Sequence, residues 1–306
     1  MNVSAKLKSI AAGTTKSFDD DDTLIKAIRM SDTLPENLTP ADENTISLAT
    51  SRYPVYIWFD NTNDAGIIYV YTEAKEILMN LDSSSMFYCF SALTGLSGLA
   101  SWDTSSVTNM YAMFFSAESL TDLSPLASWD TGSVTNMSTM FSSAYSLTDL
   151  SPLASWDTGS VTNMSSMFSG YDTTSLTDLS PLVNWDTSSV TDMSWMFYNA
   201  TSLTNLSSLA NWDASSVTNM EGMFRDASSL TDLSPLANWD TSSVTNMYAM
   251  FYGAASLTQA GVDAINAWDI TNVSDFKYMF GNVPYHPTFT KRQGTWNSEG
   301  TFTPSS

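Results

Sequence analysis

Cysteine and histidine are almost missing from this 306-residue chain, which has one of each, Cys89 and His286. A single cysteine excludes an internal disulfide framework and any multi-cysteine zinc or iron–sulfur site. A single histidine excludes a histidine-rich metal centre. Basic residues are also scarce: 11 Lys+Arg stand against 32 Asp+Glu, for a formal net charge of -21. Phosphate recognition needs clustered Lys/Arg, so nucleic acid is not an expected partner. No apolar run is long enough to span a bilayer, so membrane insertion is not expected. The stretch from Met1 to Lys8 has two lysines but no apolar region after them, so it does not read as a secretory signal, and no lipidation motif is found. The chain is therefore either cytoplasmic or a piece of a longer exported protein. Only 14% of residues are charged and 43% are hydrophobic, too apolar for a chain that cannot bury a core.

Methionine and tryptophan are over-represented, at 17 and 10 residues, and both trace to an internal repeat. Trp-Asp recurs at Trp102, Trp129, Trp156, Trp185, Trp212, Trp239 and Trp268, at intervals of 27, 27, 29, 27, 27 and 29 residues. One long interval comes from the Tyr171–Thr174 stretch, and the other from "LTQAGVDAINAWD" replacing "LTDLSPLANWD". Met-x-x-Met-Phe recurs at Met110, Met137, Met164, Met193, Met220 and Met247, with worn copies at Met86-Phe87 and Phe276–Phe280. A fixed period of this length predicts stacked coils, because one unit cannot bury its apolar face alone. The Leu-x-x-Leu segment (Leu120, Leu123, Leu126) predicts a short parallel strand, Val-Thr-Asn-Met a second extended edge, and Met-Phe-x-x-Ala-x-x-Leu one or two helical turns. At about 4.8 Å per strand, seven coils make a stack of roughly 34 Å.

Asn/Ser-Trp-Asp-Thr-Ser, then Val-Thr-Asn/Asp-Met, then Met-Phe, at near-constant spacing over about residues 80 to 280, resembles the BspA-type leucine-rich-repeat surface proteins of bacteria. Ala117, Ala144, Ala200, Ala227 and Ala254 stand where members of that family often carry cysteine, and Phe90 stands there in the opening copy. The resemblance implies a right-handed α/β repeat superhelix, a role at the cell surface in adhesion or host and matrix interaction, and no catalytic activity or cofactor.

The ends of such a stack need caps. Residues 1–80 are expected to form the first cap, 81–280 the leucine-rich-repeat solenoid array, and 281–306 a short C-terminal β cap. In the first cap, the acidic run Asp19–Asp22 leads into "TLIKAIRMS", which predicts a short amphipathic helix. "LPENLTPADEN" predicts a loop, and "YPVYIWFD" with "GIIYVYTEA" a hairpin around residues 61–65. In the second, short strands are expected around Asn297–Gly300.

Several columns suggest chemistry. The Asp of Trp-Asp, copied seven times, could form a calcium ladder. Calcium takes about 6–8 oxygens, however, and one carboxylate per coil fits a turn that bonds its own backbone better. The paired methionines read as core packing rather than a soft-metal site. The repeated tryptophans read as buried rather than as a sugar-stacking row. His286 has no acid or nucleophile spaced to partner it, and Cys89 reads as a small apolar residue.

The copies differ most inside and just after Met-x-x-Met-Phe. Tyr111, Phe115, Trp195, Tyr198, Glu221, Arg225, Tyr248 and Tyr252 stand there where other copies have Ser, Thr, Ala or Gly. Variable positions on a fixed scaffold are expected to be exposed, and this residue mix matches binding surfaces; drift at exposed sites is the competing explanation, and the small residues of the second and third copies fit it. The sequence therefore predicts a non-catalytic binding or adhesion module, monomeric, with a protein or glycan partner from host or matrix. A spacer whose repeats set length alone is the alternative. The charge belongs mainly to the array: residues 77–276 hold 19 acids and one base, Arg225.

Overall fold

Leucines three residues apart set the first side of each coil. The structure, a computed structural model, describes residues 3–36, 38, 45–46, 52–170 and 176–305; the expected Tyr171–Thr174 loop and most of the 34–44 loop lie outside them. Leu120, Leu123, Leu126 and Trp129 are all buried, as are their counterparts in the other coils. The segment is not the strand expected above but a 3-10 turn, Ser124–Leu126, repeated at Ser151–Leu153, Ser180–Leu182, Ser207–Leu209 and Ser234–Leu236. The physical reason lies in the spacing. A 3-10 helix has about three residues per turn, whereas a strand alternates every two. Pro125, inside the first of these turns, has no amide hydrogen to give to a ladder.

The extended edge is present as one parallel bridge per coil, running from Asp82 through Asn109, Asn136, Asn163, Asp192, Asn219 and Asn246 to Asp275. Beside it, the Thr135 amide and hydroxyl both donate to the Thr108 carbonyl, and Thr162, Thr191, Thr218 and Thr245 repeat this one coil further on each time.

The Met-x-x-Met-Phe segment is not helical. Alternate amides donate within the coil (Met113 to the Met110 carbonyl, Phe115 to Ala112, Ala117 to Phe114), while Met110, Ala112, Phe114 and Ser116 donate to Asn136, Ser138, Met140 and Ser142 of the next coil. Two residues of most such segments take left-handed backbone, which helps to aim every second amide outward. Ala112 (φ 52°) and Ser116 (φ 53°) do so in one coil, and Thr139, Ser143, Trp195, Asn199, Gly222 and Asp226 in others. Left-handed backbone costs an L-residue about 1–2 kcal/mol, which the inter-coil bonds, each contributing about 0.5–1.5 kcal/mol net, offset.

Aromatic columns fill the interior. Phe87, Phe114, Phe141, Phe168, Phe197, Phe224, Phe251 and Phe280 stack in one file with centroids 5.0–6.0 Å apart. The repeated tryptophans are buried, as expected. Each from Trp129 to Trp268 donates its indole N–H at 2.9–3.2 Å to a leucine carbonyl of the coil before it. Trp102 follows no complete coil, and its buried Nε1 has no partner among the described residues.

The caps continue the same bonding. Strand β1 (Ala27–Met30) lies parallel to β3 (Ile67–Tyr71), which pairs antiparallel with β2 (Tyr56–Asp60) in the expected hairpin. The amphipathic helix expected at "TLIKAIRMS" is therefore corrected to a strand. Ile25 and Ile28 are buried, and the Ile28 amide donates to the Gly95 carbonyl of the first coil, so tertiary pairing overrides the local pattern. The N-terminal helix is instead α1 (Val3–Ala12). Strand β4 (Ile77–Leu78) pairs in parallel with β5 (Trp102–Asp103), extending the stack by one rung. In the last coil the lengthened segment forms α2 (Gln259–Asp263) in place of a 3-10 turn, capped by the Thr258 hydroxyl, which accepts from the Gly261 amide. Strands β6 (Gly294–Trp296) and β7 (Phe302–Pro304) form the C-terminal hairpin. Its turn stands in for a missing coil: Phe280 donates to the Gly300 carbonyl and Tyr278 to the Thr301 hydroxyl. Arg292 locks the cap by donating to the carbonyls of Ile270, Thr271 and Val273.

Candidate functional site

The aspartate columns resolve into turn chemistry. Asp103, Asp130, Asp157, Asp186, Asp213, Asp240 and Asp269 each accept from the amide two residues on. Asp122, Asp149, Asp178, Asn205 and Asp232 do the same at the start of each 3-10 turn. Among the described residues no three His, Cys, Asp or Glu converge as a metal site. Hydrogen bonding by the Ser105 hydroxyl, and then by its amide, holds the Asp103 carboxyl below the ordinary aspartate range.

His286 stacks on Trp296 at 5.0 Å and meets Phe280 edge-on, and burial lowers its pKa. Burial also raises the pKa of the Cys89 thiol.

Two of the three variable positions in each coil form files that meet at the clefts on either side of Arg225. One runs Tyr88, Phe115, Ser142, Ser169, Tyr198, Arg225, Tyr252, Gly281; the other runs Ser85, Ala112, Thr139, Ser166, Trp195, Gly222, Ala249, Tyr278. All eight residues of the second file have left-handed backbone, Trp195 included at φ 58°. A bulky residue in that conformation is uncommon. Its indole leans onto the next coil, where a Cβ on Gly222 would sit 2.5 Å from the ring. Tyr252 leans onto Gly281 in the same way. Glycine at these two places makes room for a ring.

Arg225 links the files. Its guanidinium carbon lies 4.7 Å from the Tyr252 ring centre, 5.7 Å from Trp195 and 6.0 Å from Tyr198, and its Nε pairs with Asp226 at 3.3 Å. Trp195 meets Tyr198 edge-on at 5.4 Å. On one side of Arg225 opens a groove of about 510 Å³. Phe115 forms its far wall, Trp195, Tyr198 and Arg225 its near wall, and Thr139, Ser142, Ser143, Ser166, Ser169 and Gly170 its floor. Phe115 is backed by Tyr88, stacked at 4.6 Å. On the other side of Arg225 is a cleft of about 450 Å³ bounded by Tyr248, Tyr252, Tyr278, Asn282 and Glu299.

Of the eight residues expected to bind, five therefore come together around the groove and Arg225: Phe115, Trp195, Tyr198, Arg225 and Tyr252. Tyr248 faces the second cleft. Glu221 is taken up locally, its carboxylate accepting from Asn246. Tyr111 lines neither cleft. The expectation that all eight are exposed is corrected: Tyr111 is exposed (44%) and the others are half-buried, because their neighbours in the next coil cover one side of each. Sequence reasoning missed the small floor residues. The signal was present, since two coils of Ser, Thr and Gly fall between aromatic ones.

Stacked coils, parallel single-residue bridges and 3-10 turns define a repeat protein with a mixed α/β, solenoid-like architecture. The chain belongs to the family described as "Mycoplasma protein of unknown function, DUF285", whose pattern matches residues 81–177 and 171–296. No curated protein and no solved structure matches the chain. No helix among the described residues is long and apolar enough to cross a membrane.

Proposed function

We propose that this chain is a non-catalytic binding module of a bacterial cell-surface protein, a right-handed leucine-rich-repeat solenoid of the BspA type, acting as a monomer outside the cell. Its aromatic face engages a protein or glycan of host or matrix. The observation that carries this reading is the placement of Arg225, the one base of residues 77–276, over rings from the coils on either side of its own, Trp195 and Tyr198 before it and Tyr252 after it. The internal columns already satisfy packing, so a half-buried Arg–aromatic cluster on the outer side is surplus to it. Arg, Trp and Tyr are the residues that dominate binding energy in recognition surfaces. The test is a binding screen against matrix proteins and glycans, using the native chain and a variant with Trp195, Tyr198, Arg225 and Tyr252 all changed to Ser. Loss of a bound partner in the variant supports the module. Silence from both chains favours a spacer, a reading supported by coils that carry only small residues at these positions.

A further inference from the structure

The groove between Phe115 and the Trp195–Tyr198–Arg225 wall has a composition that narrows its occupant. Phe115 and Tyr198 occupy the same register three coils apart, a span of about 14 Å at ~4.8 Å per coil. The volume of about 510 Å³ falls within the ~300–1,000 Å³ usual for small-molecule sites. The walls are aromatic and the floor is lined by hydroxyls. Ser142 Oγ and Ser169 Oγ lie 2.8 Å apart, so one donates to the other and the acceptor keeps its own hydrogen to give away.

Charge then excludes two ligand classes. A cationic ligand would meet a like charge at the wall, because the Arg225 guanidinium carbon lies 5.7 and 6.0 Å from the Trp195 and Tyr198 ring centres. An anionic ligand would need net positive charge, but Arg225 is paired with Asp226, and residues 77–276 carry 19 acids to one base. What remains is a neutral ligand with an apolar face and many hydroxyls. A pyranose ring has this character: its C–H face lies on an aromatic ring and its rim of hydroxyls exchanges hydrogen bonds with side chains such as Ser and Thr.

We propose that this groove is a saccharide site for a short neutral oligosaccharide. Trp195, Tyr198 and Phe115 serve as stacking walls, the Ser/Thr floor takes the sugar hydroxyls, and the Arg225–Asp226 pair supplies a donor and an acceptor at the rim. The inference rests on the binding-module reading and names the ligand class of that face.

The repeat itself supplies suitable variants. Ser142→Tyr with Ser169→Tyr places in the floor the residue that Tyr198 and Tyr252 carry at the same register, so the scaffold accommodates it while the groove fills. Trp195→Ser copies Ser166. Neutral hexose and N-acetylhexosamine oligosaccharides are tested by saturation-transfer NMR and calorimetry, with sialylated glycans and matrix proteins as separate arms, and Tyr285→Ser as a control away from the groove. The expected result is binding of a neutral oligosaccharide that weakens by about tenfold or more in each groove variant, the scale of losing an aromatic stack, with circular dichroism unchanged and the control unaffected. Saccharide binding that ignores both groove variants overturns the location. A silent saccharide arm alongside a matrix protein lost on Trp195→Ser overturns the saccharide class but leaves the binding module standing. Silence in every arm overturns both.

Discussion

The indole of Trp195 lies over Gly222 of the next coil, so close that a Cβ there would sit 2.5 Å from ring carbon Cε3. The two residues share a register, and both have left-handed backbone. A large ring at this register therefore depends on a small residue one coil further on.

Gly222→Ala tests that dependence. Alanine itself is accepted at this register, as Ala112 and Ala249 show at φ 52° and 49°. The expected cost in the native chain is about 2–3 kcal/mol, backbone strain plus overpacking against the ring. In a Trp195→Ser background it should drop to about 1 kcal/mol, the backbone part alone. Urea unfolding of the four chains measures the coupling; equal costs in the two backgrounds would show that the ring is not what Gly222 accommodates.

The indole ladder gives a matched pair. Trp185 donates to the Leu153 carbonyl at 3.1 Å, whereas the buried Trp102 Nε1 has no partner among the described residues. Trp185→Phe should therefore cost more than Trp102→Phe by about 1 kcal/mol, the net worth of one buried hydrogen bond. Denaturant midpoints followed by far-UV circular dichroism decide it.

One coil already lacks a bond that its neighbours make. Thr104, Thr131, Thr158, Thr187 and Thr241 each donate a hydroxyl to the Asp carbonyl of the next coil at 2.9 Å. Ala214 occupies this position in its own coil. Ala214→Thr is expected to raise stability by about 0.5–1.5 kcal/mol and Thr187→Ala to lower it by a similar amount or more. A thermal melt in which Ala214→Thr gains nothing would argue against the hydroxyl ladder as a source of stability.

Acid should act in two windows. Burial lowers the pKa of His286, so the native C-terminal cap binds fewer protons than the unfolded chain. Stability from this group is present above the unfolded value of about 6.5 and is lost as pH falls through the lower folded value. His286→Phe should flatten this step. Hydrogen bonds from Ser105, Ser151, Ser188, Ser242 and Thr271 lower Asp103, Asp149, Asp186, Asp240 and Asp269. Their contribution is present above about 3.9 and disappears as pH falls through their lower folded values. Melting midpoints from pH 8 to pH 2 should fall at both steps.

The repeat, its buried columns and the turn role of aspartate could be read from residue spacing, because one pattern copied several times is evidence of packing. The local backbone was harder to read. Leu120, Leu123 and Leu126 were apolar and short enough to suggest a strand, although their three-residue spacing is that of a 3-10 turn. The left-handed positions were visible only as a preference for Asn, Asp, Ser and Gly at Asn199, Asp226, Ser143 and Gly253. Ile25 and Ile28 read as one face of a helix because the pairing partners of the strand that follows Ile25, Ile68 for Ile28 and Gly95 for Ala27, lie far along the chain. At the site, the aromatic members could be read as outliers among the copies. The serines of the floor left a weaker signal, two coils of small residues between aromatic ones, because a cavity is defined by what surrounds it.

Each coil offers its successor the same donors and receives the same acceptors, so the array tolerates changes in copy number. Removing or duplicating one 27-residue unit leaves the threonine, tryptophan and amide ladders intact. The groove has no such freedom. Its width is set by the number of small-residue coils between Phe115 and Tyr198, so a change of one coil that leaves the scaffold unaffected would change the aperture by one ~4.8 Å step. Coil number therefore works as a gauge that can reset ligand size without altering the wall residues.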